Sequence, residues 1–190
     1  METDNRANLT KDWEELRRLV KERSFKFGDF TLTSGKKSSY YFDGKQVTLY
    51  ARGAYLLGRL MAAKIAGENI QAVGGLTLGA DPMAGSLAVS AYSAGMPDLK
   101  LFIVRKEVKG HGTGKRIEGP ALSPEDRVVV VDDVITSGGS IIKAIEAVRS
   151  EVGCEVVKAI ALVDRLEGGT ENIEALGVKV DPIFTIKDFM

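Results

Sequence analysis

Two adjacent carboxylates, Asp132 and Asp133, stand between an apolar run and a turn of small residues in the segment VVVVDDVITSGGS, Val128 to Ser140. Val128–Val131 reads as a short buried strand, with the carboxylates at its C-terminal end. Thr136, Ser137, Gly138, Gly139 and Ser140 then lead into a helix. In an open parallel sheet, ligands gather outside the carboxyl ends of the strands. A glycine-bearing turn that enters a helix offers free backbone N–H groups to an anion, and the helix dipole adds to them. The hydroxyls of Thr136, Ser137 and Ser140 add further donors, so the turn reads as a cradle for a phosphate monoester. Two carboxylates would repel phosphate but suit sugar hydroxyls or a hydrated Mg²⁺. Together these features point to a phosphorylated sugar. The plain alternative is a capped strand-to-helix connection with acidic residues there by chance. Spelling excludes two other phosphate sites: there is no G-x-x-x-x-G-K-[ST], and no G-x-G-x-x-G follows a strand.

A second cluster is basic. RKEVKGHGTGKR sets Arg105, Lys106, Lys109, Lys115 and Arg116 against Glu107, a net +4 over twelve residues, and it carries the single histidine, His111. Gly110, Gly112 and Gly114 disfavour regular structure and permit a mobile loop. A mobile basic loop suits a lid that closes over a polyanion and excludes water. A solvated surface loop, or a weak RNA-contacting patch, is the bland reading.

Alternating strands and helices must position these groups. Thr10 is placed to cap a helix over Lys11–Arg23, with the first ten residues frayed. Phe30–Thr33 and Ser39–Phe42 read as two strands around a Ser34–Lys37 turn. A helix follows over Ala51–Ala66, then a strand over Ile70–Gly75. Asp81-Pro82 opens a helix to about Ala94. Leu99–Val104 and Val128–Val131 read as strands, Ser140–Arg149 as a helix, and Glu155–Val163 as a mostly apolar strand. Val180–Phe189 reads as one further strand. Short apolar strands alternating with helices predict an α/β fold whose mostly parallel sheet is flanked by helices. The expected layout is a single domain over 1–190. Residues 10–50 would form a helix and a small hood that the tail completes. Residues 51–190 would form the α/β core, with the mobile loop near 105–116.

Composition narrows the class. The chain has 190 residues, and its 26 Lys and Arg balance 26 Asp and Glu, which excludes a broad basic surface for nucleic acid. At 44% hydrophobic it can bury a sizeable core. One cysteine, Cys154, makes no internal disulfide, and with His111 it is too few for a zinc site. The polar METDNRANLT lacks the apolar core of a signal peptide, and no apolar run is long enough to span a bilayer. A cytoplasmic protein with no nucleic-acid or membrane partner is expected.

The segment Val128–Ser140 resembles the phosphoribosyl pyrophosphate (PRPP) signature of type I phosphoribosyltransferases. The match runs through a hydrophobic run, Asp-Asp, the two apolar residues Val134 and Ile135, Thr136 and then small residues. The resemblance implies that Asp132 and Asp133 bind the ribose 2- and 3-hydroxyls. It implies too that Thr136–Ser140 hold the 5-phosphate, with Val134 and Ile135 in the same PRPP-binding stretch. Arg105-Lys106-x-x-Lys109-x-His111-Gly112 is similar to the catalytic loop of orotate phosphoribosyltransferases. By that likeness Arg105, Lys109 and His111 contact pyrophosphate, and Lys106 does so from the adjacent subunit of a homodimer with shared active sites. Lys109, His111 and Asp133 are the implied catalytic residues, and His111 either donates a proton to the departing pyrophosphate or hydrogen-bonds it.

FTLTSGKKSSYYFD, Phe30 to Asp43, resembles the same family's hood over the base. Tyr41 and Phe42 would offer a surface to a flat pyrimidine, although one ring of such a pair is expected in the core. Where some relatives carry Lys, this chain has Thr33, and Lys36 or Lys37 would have to supply that contact. GGLTLGADPMA, Gly74 to Ala84, resembles the family's pyrophosphate loop, with Gly79 where some relatives carry Lys. Asp164-Arg165 matches a pair whose Arg binds the orotate carboxylate, with Thr136 nearby; in isolation it reads equally as a surface ion pair. Orotate and PRPP would be the substrates and Mg²⁺ the cofactor, held through PRPP and water with no direct protein ligand.

Two alternatives share the Asp-Asp-Thr signature. A purine phosphoribosyltransferase leaves the Arg105–Gly112 pattern and the hood unexplained. A non-catalytic PRPP-sensing regulator needs a nucleic-acid-binding element, and the residues before Phe27 read as one amphipathic helix.

Overall fold

The computed structural model describes residues 2–31, 37–107 and 115–190. The chain opens with helix α1 (Glu2–Arg23), then strands β1 (Phe25–Thr31) and β2 (Lys37–Phe42), and a single turn α2 (Lys45–Thr48). The core follows as α3 (Ala51–Ile65), β3 (Ala72–Leu76), α4 (Ala80–Ser93), β4 (Lys100–Val104), β5 (Ile117–Glu118), β6 (Arg127–Ile135), α5 (Gly139–Glu151) and β7 (Glu155–Asp164). It ends with α6 (Gly169–Glu174), β8 (Lys179–Val180), β9 (Phe184–Thr185) and a 3₁₀ turn over Ile186–Asp188.

β1 and β2 form an antiparallel ribbon. The other seven strands form one sheet in the order β5-β4-β3-β6-β7-β8, with β9 also on β7. Every pairing in it is parallel except β4 with β5. Both faces are covered, as an α/β arrangement requires. On β6, Val129 and Val131 enter the cluster beneath α1, α3 and α4, whereas Val128 and Val130 enter the cluster beneath α5 and α6. The period-2 alternation of a strand thus makes four consecutive valines core on both sides.

The first cluster also holds the hood. Phe25 and Phe42 lie in it with Phe184 and Phe189. Trp13 packs on Phe184 at 5.0 Å and donates its indole N–H to the Ile183 carbonyl at 3.2 Å. The tail therefore completes the N-terminal cap. Among the described residues no helix is long and apolar enough to cross a membrane.

Several boundaries differ from the sequence reading. α1 begins at Glu2 and runs through Thr10; residues 2–10 contain neither Gly nor Pro, so nothing there stops a helix. β1 begins five residues before the expected Phe30, and its register shift between Phe27 and Phe30 takes in Gly28-Asp29 as a bulge. The expected Ser34–Lys37 turn lies, up to Lys36, outside the described residues, as does Thr33. β6 runs nine residues, not four, so Asp132 and Asp133 lie within the strand. Its neighbour β7 extends to Asp164 and keeps pairing with it as far as Ile135. The tail is not one strand. Pro182 has no N–H for the ladder and falls between β8 and β9, and Thr185 and Asp188 then close a capping box on the 3₁₀ turn.

Candidate active site

The sheet brings the ends of β3, β4, β6 and β7 to one rim. Asp132 is only 7% exposed, and its Oδ1 accepts the backbone N–H of Asp133 at 3.0 Å. Burial, and after it the neighbouring charge of Asp133, pushes its pKa up to about 7. Asp133 is answered by a residue that no motif in the chain singles out. Lys45, at the start of α2, places Nζ 3.2 Å from Asp133 Oδ2 and 3.3 Å from Asp43 Oδ1. Burial alone would lower the Lys45 pKa, but Asp133 and then Asp43 outweigh it, and the net shift is upward.

Past Ile135 the chain turns through Thr136–Ser140. Asp132, Val134, the turn itself, Ile141 and Lys143 line a concavity of about 240 Å³. Gly138 caps α5 with φ +82°, a left-handed conformation suited to glycine. A short helix absent from the sequence reading, α6, supports this turn from behind. Asn172 Nδ2 donates to the Ser137 carbonyl at 3.0 Å, and Gly169 lies so near the Thr136 carbonyl that a Cβ there would be 2.4 Å from it. Lys143, exposed at the fifth residue of α5, adds a cation at the mouth that the motif spelling passed over.

The segment after β3 closes on the carboxylates. A Cβ on Gly79 would lie 2.1 Å from Asp132 Oδ1 and 2.7 Å from Asp133 Oδ1. Any larger residue on this backbone must displace a buried carboxylate, which accounts for glycine at this position in this chain. Thr77 Oγ1 donates to Asp81 Oδ2 at 2.7 Å, within the first turn of α4. Beside it, Thr77, Asp81, Ile103, Arg105, Lys106 and Glu118 border a second concavity of about 540 Å³.

The basic loop is only partly described: Lys109 and His111 lie outside the described residues. Its two roots are anchored. Arg105 donates its backbone N–H to the Arg116 carbonyl at 2.9 Å, and its guanidinium is 3.6 Å from Glu118. Arg116 pairs with Glu151 at 2.8 Å. Two of the five cations thus have anionic partners distant in sequence, which a count along the loop does not show. Lys106 and Lys115 are exposed.

Arg165 follows β7 and donates its backbone N–H to Ile135 O at 2.9 Å, one residue before the phosphate-type turn. Its side chain is 8% exposed, pairs with Glu167 at 2.7 Å and leaves Nε buried without a hydrogen-bond partner. Asp164 does not pair with it; its carboxylate accepts the Leu166 N–H at 2.8 Å and the Thr170 hydroxyl at 2.6 Å. The guanidinium lies over the ring of Tyr40 at 5.0 Å. Tyr40, not Tyr41, is the hood aromatic next to Arg165. Phe42 is 7% exposed and packs edge-on against Phe25, while Tyr41 is 45% exposed and meets Phe30 at 5.9 Å. Adjacent strand residues point to opposite faces, so Tyr41 lies on the face opposite Tyr40 and Phe42, which both pack on Phe25.

Comparison with known proteins places this arrangement. A phosphoribosyl transferase domain model matches residues 46–186. The orotate phosphoribosyltransferase of Rhodopirellula baltica is 45% identical over 188 residues, covering 96% of each chain. The chain belongs to the orotate phosphoribosyltransferase family. A crystal structure of the Mycobacterium tuberculosis family member with Fe(III) dicitrate superposes with a TM-score of 0.83 at 40% identity, covering 94% of this chain and 98% of that one. Another structure of the M. tuberculosis orotate phosphoribosyltransferase, in complex with PRPP, gives 0.75 at 34% identity, covering 95% and 92%. The fold is thus the type I phosphoribosyltransferase fold expected from the Asp-Asp-Thr signature, and the protein is a pentosyl-transferring enzyme.

Proposed function

We propose that the protein transfers the 5-phosphoribosyl group of PRPP to orotate, giving orotidine 5′-phosphate and pyrophosphate, a step of de novo pyrimidine synthesis. Asp132 and Asp133 take the ribose 2- and 3-hydroxyls. The N–H groups and hydroxyls of Thr136–Ser140 take the 5-phosphate, with Lys143 beside them and Val134 and Ile135 leading into the turn. Pyrophosphate faces the Gly74–Ala84 segment with Arg105, Lys109 and His111, and Lys106 arrives from a second subunit. An exposed apolar strip of Tyr55, Val89 and Tyr92 along α3 and α4 supports association with another copy. Arg165 takes the orotate carboxylate next to Thr136, and Phe42 supports the hood from within the core. The compartment fitting this chemistry is the cytoplasm.

The reaction needs no covalent nucleophile. As the bond from C1 of the ribose to pyrophosphate lengthens, N1 of orotate attacks the opposite face. The residues hold the two reactants in line and stabilise charge developing on the leaving group. Asp132 and Asp133 are hard oxygen acceptors suited to the water shell of a hydrated Mg²⁺. They fit a Mg²⁺ bound through PRPP oxygens and water. When bound, it offsets pyrophosphate charge.

The observation that carries the orotate reading is Arg165, a buried guanidinium with an unsatisfied Nε at the neck of the phosphate-type turn. A purine offers it no carboxylate. The test is to incubate the protein with PRPP, Mg²⁺ and orotate and follow loss of orotate absorbance. Turnover with hypoxanthine or guanine but none with orotate would reject the proposal.

A further inference from the structure

The turn that follows Arg165 holds a carboxylate of its own against the guanidinium. We propose that Glu167 is a tethered competitor for the substrate carboxylate. On this view it occupies Arg165 while the site is empty, yields when orotate or orotidine 5′-phosphate enters, and so sets how tightly carboxylated pyrimidines bind. The proposal rests on the reading that Arg165 receives the orotate carboxylate.

Three observations carry it. First, the contact is one-sided: Glu167 Oε1 meets Nη2 at 2.7 Å, while Nε stays buried and unpartnered. A planar carboxylate laid along the guanidinium edge bonds both nitrogens at once and is the stronger partner. Second, the two side chains differ in freedom. That of Arg165 is 8% exposed and held over the Tyr40 ring, whereas that of Glu167 is 40% exposed and can leave for water. Third, the turn is shaped for the contact. Leu166 has φ +57°, an uncommon conformation for a branched residue, and Asp164 fixes it by accepting from Leu166 N and Thr170 Oγ1. This reversal brings residue 167 back to residue 165.

An internal anion here has a physical use. A buried guanidinium with no counterion is costly. One weak, exposed partner covers it in the empty site and can be displaced by the substrate carboxylate.

The test compares equilibrium affinities for orotidine 5′-phosphate and uridine 5′-phosphate, which differ by the carboxylate, using titration calorimetry on the intact protein. The ratio of the two affinities reports the carboxylate contact alone. In Glu167→Gln that ratio is expected to rise about two- to fivefold, the range spanned by partly exposed ion pairs, through tighter orotidine 5′-phosphate binding with uridine 5′-phosphate unchanged. In Arg165→Gln the ratio is expected to collapse toward one. If Arg165→Gln collapses it but Glu167→Gln leaves it unchanged or lowers it, the tethered competitor is rejected and the orotate reading stands. If Arg165→Gln leaves the ratio intact, the reading of Arg165 itself fails, and the proposal falls with it.

Discussion

Replacing Asp132 with Asn tests the electrostatics of the site without a ligand. Asp132 is pushed from 3.8 up to about 7 by burial and by Asp133. The folded protein therefore binds this proton more tightly than the unfolded chain does. By linkage, its contribution to stability falls as pH rises from about 4 to about 7 and is level above that. A shift of about three pK units at ~1.4 kcal/mol per unit makes the ionised carboxylate cost about 4 kcal/mol at pH 8, against about 1 kcal/mol at pH 4.5. Asn keeps the shape and the oxygen that accepts Asp133 N–H, and it carries no charge. Urea unfolding of the wild type and Asp132→Asn at pH 4.5, 6 and 8 reads the difference, because groups away from the Asp132–Asp133 pair titrate alike in both. The expected result is a variant that gains on the wild type by about 3 kcal/mol between the lowest and highest pH. Parallel stability profiles, or a variant less stable than the wild type at pH 8, would refute the reasoning. The stability lost as this carboxylate ionises is the cost of placing it at a buried strand end.

Gly79→Ala should drive a Cβ into the Asp132 carboxylate and cost about 1–3 kcal/mol in a thermal or urea melt, with a matching loss of PRPP affinity. Lys45→Met removes the cation 3.2 Å from Asp133 Oδ2 and should weaken PRPP binding severalfold in titration calorimetry, with Lys45→Arg restoring it. Mixing Lys106→Ala with Asp133→Asn protein should recover activity that neither has alone if the site is shared between subunits, and a dead mixture would count against sharing.

The parts legible in sequence are those built from consecutive residues. Val128–Val131 declares a buried strand by its unbroken valines, and Thr136–Ser140 declares an anion turn by its hydroxyls and glycines. What escaped depends on partners far along the chain. Lys45 reads as an ordinary surface cation until the fold sets it 3.2 Å from Asp133, 88 residues along the chain. Arg116 reads as a free loop cation until Glu151 meets it. Whether Tyr41 or the pair Tyr40 and Phe42 faces inward turns on the pleat of β2, and a bulge in its partner strand hides that phase. The helix α6 is six residues long and starts at glycine, too short and too poorly marked to read from periodicity.

The aromatic lock between the hood and the tail has a consequence for how the molecule comes to exist. Trp13 and the Ile183 carbonyl it bonds are separated by 170 positions, and Phe25 meets Phe189 at 5.1 Å. The ribosome makes the hood first, yet its inner wall is supplied by residues made long afterwards. During synthesis Trp13 and Phe25 therefore wait without their tail partners while the sheet assembles. Contacts of such long range form slowly and leave apolar surface exposed in the interval. The N-terminal cap is thus left with unpaired apolar rings in the nascent chain, and the wait ends when Phe184 and Phe189 arrive.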